Sequence, residues 1–201
     1  MTNDYSIKFQ HYQKNQLQKV VRGLEEAPSE TGSAARGALA ALTALGLAGP
    51  RAASSITRCL GIRALLLSLV SGGRLSSDLR CACLRALASV CCCLEAIDQF
   101  VAEAGPEILA DLLDSQSTPD SEKSEAAALV VQITAPWMDR AGLGYVEPFA
   151  DQLVGALTDL AENSKCKQTL LLSTAAINHL SYSKRCIGAI VKYNSIKKLL
   201  R

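Results

Sequence analysis

Aromatic residues are scarce in this 201-residue chain, making up 4% of it. That is too few for the aromatic-rich strands of a β-sandwich or barrel core. Histidine is scarcer still: only His11 and His179 occur, and neither has a cysteine or carboxylate at a catalytic spacing, so no catalytic residues are assigned and no enzyme is expected. A one-signed charge is missing too, since 21 Lys and Arg oppose 19 Asp and Glu for a net +2. A general nucleic-acid binder would carry a larger basic excess, so no nucleic acid is expected as partner. The most apolar stretches, residues 37–49, 60–70 and 81–94, are short or carry Arg63 and Arg85, and none meets the roughly 20-residue need of a membrane span. The polar first ten residues have no secretory signal pattern, which leads to the expectation of a soluble, intracellular chain. Gly142-Leu143-Gly144 lacks the Lys-Ser/Thr of a phosphate loop and reads as a turn, so no cofactor is expected.

What is present points to helices. Hydrophobic residues make up 49%, charged residues 20%, and mean hydropathy is +0.16, a balance that folds and is neither disordered nor a charged coiled coil. Alanine and leucine dominate stretches such as residues 34–47, favouring helix packing through small and branched side chains. Eight cysteines occur, but Cys81, Cys83, Cys91, Cys92 and Cys93 crowd one helical stretch where side chains diverge. Bridging geometry is poor there, and three cysteines in a row cannot converge on a tetrahedral metal. No Cys-x-x-Cys pair occurs, so neither disulfides nor a metal site is expected, and the thiols act as small hydrophobes.

Glycine, proline and serine cut the helical periodicity into pieces, and the cuts recur. Gly61 to Ser71 aligns with Gly105 to Ser115 at an offset of 44, and the final core leucine runs Leu24, Leu69, Leu113, Leu157 and Leu200. A second ladder pairs Leu42 with Leu45, Leu87 with Val90, Val130 with Ile133 and Ile177 with Leu180. Each unit reads as a short helix, a second helix with a Gly-x-x-x-Leu-x-x-x-Leu face, a polar break and a long Ala-rich third helix. In one unit these are residues 93–105, 105–115, 116–121 and 122–134. Such units bury their faces only by stacking, with the third helices along a concave side. Boundaries follow: an N-terminal helix or incomplete repeat at 1–27, then repeats at approximately 28–72, 73–115, 116–164 and 165–201, with both terminal units incomplete.

The three-helix order and the phrases from Ala104 to Ser115 and from Glu125 to Thr134 resemble the armadillo repeat. HEAT repeats, with two helices per unit, are the near alternative. The resemblance implies an all-α, right-handed alpha-alpha superhelix of about four to five repeats. Residues 130–138 with 166–201 are similar to the conserved region of the Inscuteable family. That family implies a non-enzymatic scaffold of asymmetric cell division at the cytoplasm and apical cell cortex, linking Bazooka and the Par complex to Partner of Inscuteable and spindle orientation. No obvious Partner-binding peptide of that family is visible in this chain. Armadillo proteins that read basic peptides carry a Trp and, four residues on, an Asn in each third helix. Here the Trp places hold Ala40, Arg85, Ala128 and Ala175, and the Asn places hold Ala44, Ser89, Gln132 and His179, so that recognition is not expected.

The expected protein-binding groove comprises Arg85, Ser89, Gln132, Asn178 and His179, with Asp78 and Gln168 at its rim. His179 is expected to face the groove. Lys184, Arg185, Lys192, Lys197, Lys198 and Arg201 form a basic patch with no acid between, a local charge of +6 suited to a solvated face or to acidic peptides or anionic surfaces. The alternative functions are a regulatory armadillo module that senses a small ligand or controls another protein, and a self-associating structural element.

Overall fold

A computed structural model describes residues 15–24, 32–71, 75–136 and 142–200. His11 and Arg201, both singled out by sequence, lie outside the described residues, as do residues 137 and 138 of the stretch 130–138. Twelve α-helices occur among them: α1 (15–24), α2 (Gly32–Leu47), α3 (Pro50–Arg58), α4 (Gly61–Val70), α5 (Ser77–Val90), α6 (Leu94–Ala102), α7 (Gly105–Asp114), α8 (Asp120–Ile133), α9 (Ala150–Asn163), α10 (Lys167–Leu180), α11 (Lys184–Lys192) and α12 (Ser195–Leu199). No strand occurs among the described residues. No single described helix is long and apolar enough to cross a membrane. The chain divides into two compact units, Met1–Gln99 and Phe100–Arg201.

In the first unit α2 lies along α5, and α3 packs on both α4 and α5. Leu39, Leu42, Ile56, Ile62, Leu65, Leu84 and Leu87 fill its core. Pro50 opens α3, where its missing N–H is harmless, and Gly49 before it takes φ +111°, open to glycine alone at little cost. Cys83 donates from Sγ to the Leu65 carbonyl at 3.2 Å, tying α5 to α4.

In the second unit α9 is the hub, packed by α7, α10, α11 and α12, while α8 lies along α10. Phe100, Leu113, Leu129, Val130, Ile133 and Leu157 form the core. Thr158 on α9 and Ser195 on α12 share a buried hydroxyl hydrogen bond of 2.7 Å. A side chain at Gly155 would come within 3.0 Å of the Tyr193 ring.

The period read from sequence reappears in the backbone. Leu60, Ala104 and Asn194 take left-handed conformations with φ of 60°, 58° and 52°, at intervals of 44 and 90 residues. Each sits in the sharp turn between a first and a second helix. Ordinary residues hold this conformation at a cost of about 1 kcal/mol, which surrounding packing must over-determine. After two of these turns comes a glycine on which the preceding helix rests: Ile56 on Gly61 in one unit, Phe100 on Gly105 in the other. A Cβ at Gly105 would lie 2.6 Å from the Phe100 ring.

Helix bounds follow the expected second and third helices, at Gly105–Asp114 and Asp120–Ile133. Both leucine ladders are buried with two exceptions, Leu45 and Leu200. Leu45 yields its place to Gly46, which is the buried residue where α2 meets α5. Leu200 is 83% exposed and stands just past the last turn of α12, the short helix that packs on α9 and α11. The unit before α9 also departs from the three-helix order. Its described residues form a turn at Gly142, with φ +77°, and a single 3-10 turn at Glu147–Phe149 in place of a first helix. Tyr145 anchors that segment by donating from its hydroxyl to the Ile133 carbonyl at 2.5 Å.

Candidate protein-binding face

The expected groove residues fall on third helices of the two units. In the first unit Asp78, Arg85 and Ser89 lie on α5 at i, i+7 and i+11, one stripe of the helix. Asp78 and Arg85 are exposed, and Asp78 stands in the first turn, where a carboxylate favours the positive end of the helix dipole. Ser89 is half-buried and donates to the Ala86 carbonyl at 2.8 Å. It lies against Gly46, so its availability to a partner is less than its place in the ladder implies.

In the second unit α8 and α10 run together. Glu125, Ala128 and Gln132 form a half-exposed stripe on α8 at i, i+3 and i+7. On α10 Gln168, Leu171, Ala175 and Asn178 form the matching stripe, with Gln168 and Asn178 exposed and Leu171 63% exposed. Leu171 was not singled out by sequence, because one leucine in a run of three gives no sign of which will be turned outward. The seam beneath is polar and satisfied in part: Thr169 donates to Ser124 Oγ at 2.9 Å.

His179 corrects the sequence expectation. It is 8% exposed and turns into the seam, not into an open groove. Its Nδ1 lies 3.2 Å from the Val131 carbonyl oxygen and 3.4 Å from Thr134 Oγ1. The Thr134 hydroxyl already donates to the Val130 carbonyl at 2.6 Å, and a carbonyl has no proton to give. Nδ1 therefore carries the hydrogen and donates it. Val131 lies in the last turn of α8, where carbonyls have no intrahelical donor, so His179 caps one helix from the next.

The basic patch is likewise reshaped by distant residues. Lys192 donates to Asp151 at 2.9 Å, and Lys198 bridges Asp159 at 3.1 Å and Glu162 at 2.9 Å. These carboxylates raise both lysines above the ordinary ammonium value through their hydrogen bonds. The local +6 read along the chain is thus partly neutralised by acids on α9. Lys184, Arg185 and Lys197 remain exposed without a carboxylate partner among the described residues.

All eight cysteines are free thiols. Burial pushes the Cys83 and Cys91 thiols well above their ordinary value. Cys166, exposed at the start of α10, is shifted down by hydrogen bonds from Thr169 and Gln168. Among the described residues no group of three or more His, Cys, Asp or Glu could hold a metal ion.

Two units of stacked helices, a recurring left-handed turn and aligned third helices define an all-α solenoid of the armadillo type, a form that offers extended surface to a partner. A designed armadillo repeat protein in complex with the peptide (KR)4 matches it with a TM-score of 0.75 at 15% identity, over 90% of this chain and 72% of that one. The crystal structure of an engineered protein matches with a TM-score of 0.75 at 24% identity, over 91% and 70%. The family described as Protein inscuteable C-terminal matches residues 3–201, and the chain belongs to that family. The Protein inscuteable homolog of Mus musculus is 31% identical over 120 residues, covering 58% of this chain and 21% of the mouse protein. The Homo sapiens homolog is 30% identical over 119 residues, with the same coverage. The chain therefore matches about a fifth of the length of these curated relatives.

Proposed function

We propose that this chain is a non-enzymatic protein-interaction adaptor that joins polarity proteins of the Par complex, such as Bazooka, to Partner of Inscuteable and the spindle-orientation machinery of asymmetrically dividing cells. Its place of action on this reading is the cytoplasm and the apical cortex. The family match over residues 3–201 is the observation that carries the proposal. Surface geometry supplies the means: the exposed α10 stripe of Gln168, Leu171, Ala175 and Asn178 offers an apolar centre between polar ends. Recognition surfaces concentrate their energy in a few such anchors within a wider neutral area. The absence of the Trp and Asn ladder means that a partner is held by other contacts than a backbone clamp. Titrating the chain with purified Partner of Inscuteable and with Bazooka by isothermal calorimetry tests the reading. Saturable binding to either supports it; no binding to both removes the polarity role and leaves the armadillo fold untouched.

A further inference from the structure

The small net charge conceals a block pattern. Residues 31–94 hold seven arginines and one acid, residues 95–162 hold fourteen acids and two basic residues, and residues 163–201 hold eight basic residues and no acid. On the basic first unit, α4 turns outward a line of Leu60, Arg63, Leu67 and Val70, whose three apolar members are 49%, 47% and 52% exposed.

The equivalent helix shows that the fold does not require apolar residues there. Leu60 and Ala104 share the left-handed turn, and Gly61 and Gly105 share the seat for the preceding helix, so the offset between α4 and α7 is 44 residues. Arg63, Leu67 and Val70 then correspond to Glu107, Asp111 and Asp114, all exposed carboxylates. One helix thus carries charge on its solvent face where its counterpart carries a hydrophobic seam. The seam is one helix wide. Within the same unit the exposed positions of α3 include Arg51, Ser55 and Arg58, and those of α1 include Gln16, Lys19 and Arg22.

We propose that the outer face of α4 docks an acidic amphipathic helix of a partner protein, laid along Leu60, Leu67 and Val70 with its carboxylates toward the basic residues of this unit, such as the exposed Arg51 on α3, which packs on α4. Leu67 and Val70 stand at i and i+3 on one face of α4, with Leu60 just ahead of its N-terminus, and apolar neighbours at this spacing are what a helix presents to another helix. A bilayer would call for a broader apolar surface than this line bounded by polar residues. A second copy placed face to face would set basic block against basic block, which opposes association.

A phage-displayed library of helical peptides, selected on the whole 201-residue chain and counter-selected on the Leu67→Asp/Val70→Asp double variant, tests this. The variant places at both positions the residue found at their counterparts 111 and 114, so its fold is expected to hold, as circular dichroism would verify. Expected are enriched peptides of net negative charge with apolar residues at i, i+3 or i+4, and i+7, binding at least tenfold more weakly to the variant and more weakly in high salt. Enrichment of basic or non-periodic peptides, or equal binding by the variant, overturns the proposal. So does a wild-type dimer in light scattering that the variant abolishes, or variant-sensitive binding to phosphatidylserine vesicles without any peptide enrichment.

Discussion

Gly46 of α2 approaches Ser89 of α5 so closely that a Cβ on the glycine would lie 2.5 Å from Ser89 Oγ and 2.7 Å from its backbone carbonyl carbon. The two residues stand 43 positions apart, one repeat, at the contact where one third helix rests on the next. A flexible side-chain end could move aside, but the Ser89 backbone cannot without shifting α5.

Gly46→Ala is therefore expected to destabilise the chain by roughly 1–3 kcal/mol, the usual range for overpacking a closed contact. Gly37, on the same helix, meets nothing within 4 Å of an added Cβ. Gly37→Ala should stabilise by up to about 1 kcal/mol through helix propensity alone. Urea denaturation of the two variants reads the difference in sign.

His179→Ala should lower stability by about 1–2 kcal/mol, because it strips a donor from the Val131 carbonyl. The prediction is checked by the unfolding midpoint. A groove role for the imidazole would instead weaken a partner with the midpoint unchanged.

On the exposed stripe the opposite split is expected. Leu171→Glu alters an exposed side chain and should leave the unfolding midpoint within about 0.5 kcal/mol of wild type, and Arg85→Glu is to be compared with it for partner binding. Partner affinity measured by calorimetry should fall tenfold or more for whichever residue is an anchor. Unchanged affinity in both variants would move the binding face off α5 and α10.

The buried thiols predict a pH dependence. Cys83 and Cys91 keep their protons in the folded chain above the pH at which an unfolded thiol, near 8.5, loses them. The unfolded state then binds fewer protons than the folded state, so stability falls as pH rises through about 9, by about 1.4 kcal/mol per pH unit for each thiol. Cys92 and Cys186 are shifted in the same direction, so Cys83→Ala should flatten that slope without abolishing it in urea titrations between pH 8 and 10. Cys166, with its thiol shifted down and fully exposed, should alkylate first in the folded chain, while Cys83 and Cys91 label only on unfolding; mass spectrometry of iodoacetamide adducts reads the order.

Much of the fold was legible because repetition amplifies a weak signal. A single leucine says little, but Leu24, Leu69, Leu113 and Leu157 recur at one period and all are buried. Where a local feature interrupts the period, the reading failed. Leu45 gave way to Gly46 because close helix approach selects the smallest residue, and the turn with its 3-10 helix stands where a first helix was expected.

The candidate site was less legible. Arg85, Asp78, Gln168 and Asn178 are exposed as their positions suggested, yet His179 is enclosed and Leu171 emerges unannounced. Helical periodicity tells which residues share a face, and it does not tell how far a neighbouring helix covers that face.

The order of helices, their period and the armadillo class are properties of this sequence alone, since backbone conformation and amphipathic spacing act over one turn or one repeat. Tertiary structure decided which polar groups remain for a partner. Lys198 meets Asp159 and Glu162, and His179 meets Val131, through contacts tens of residues apart along the chain. Charge and hydrogen bonding act through space, so their outcome waits on the packing that brings those residues together.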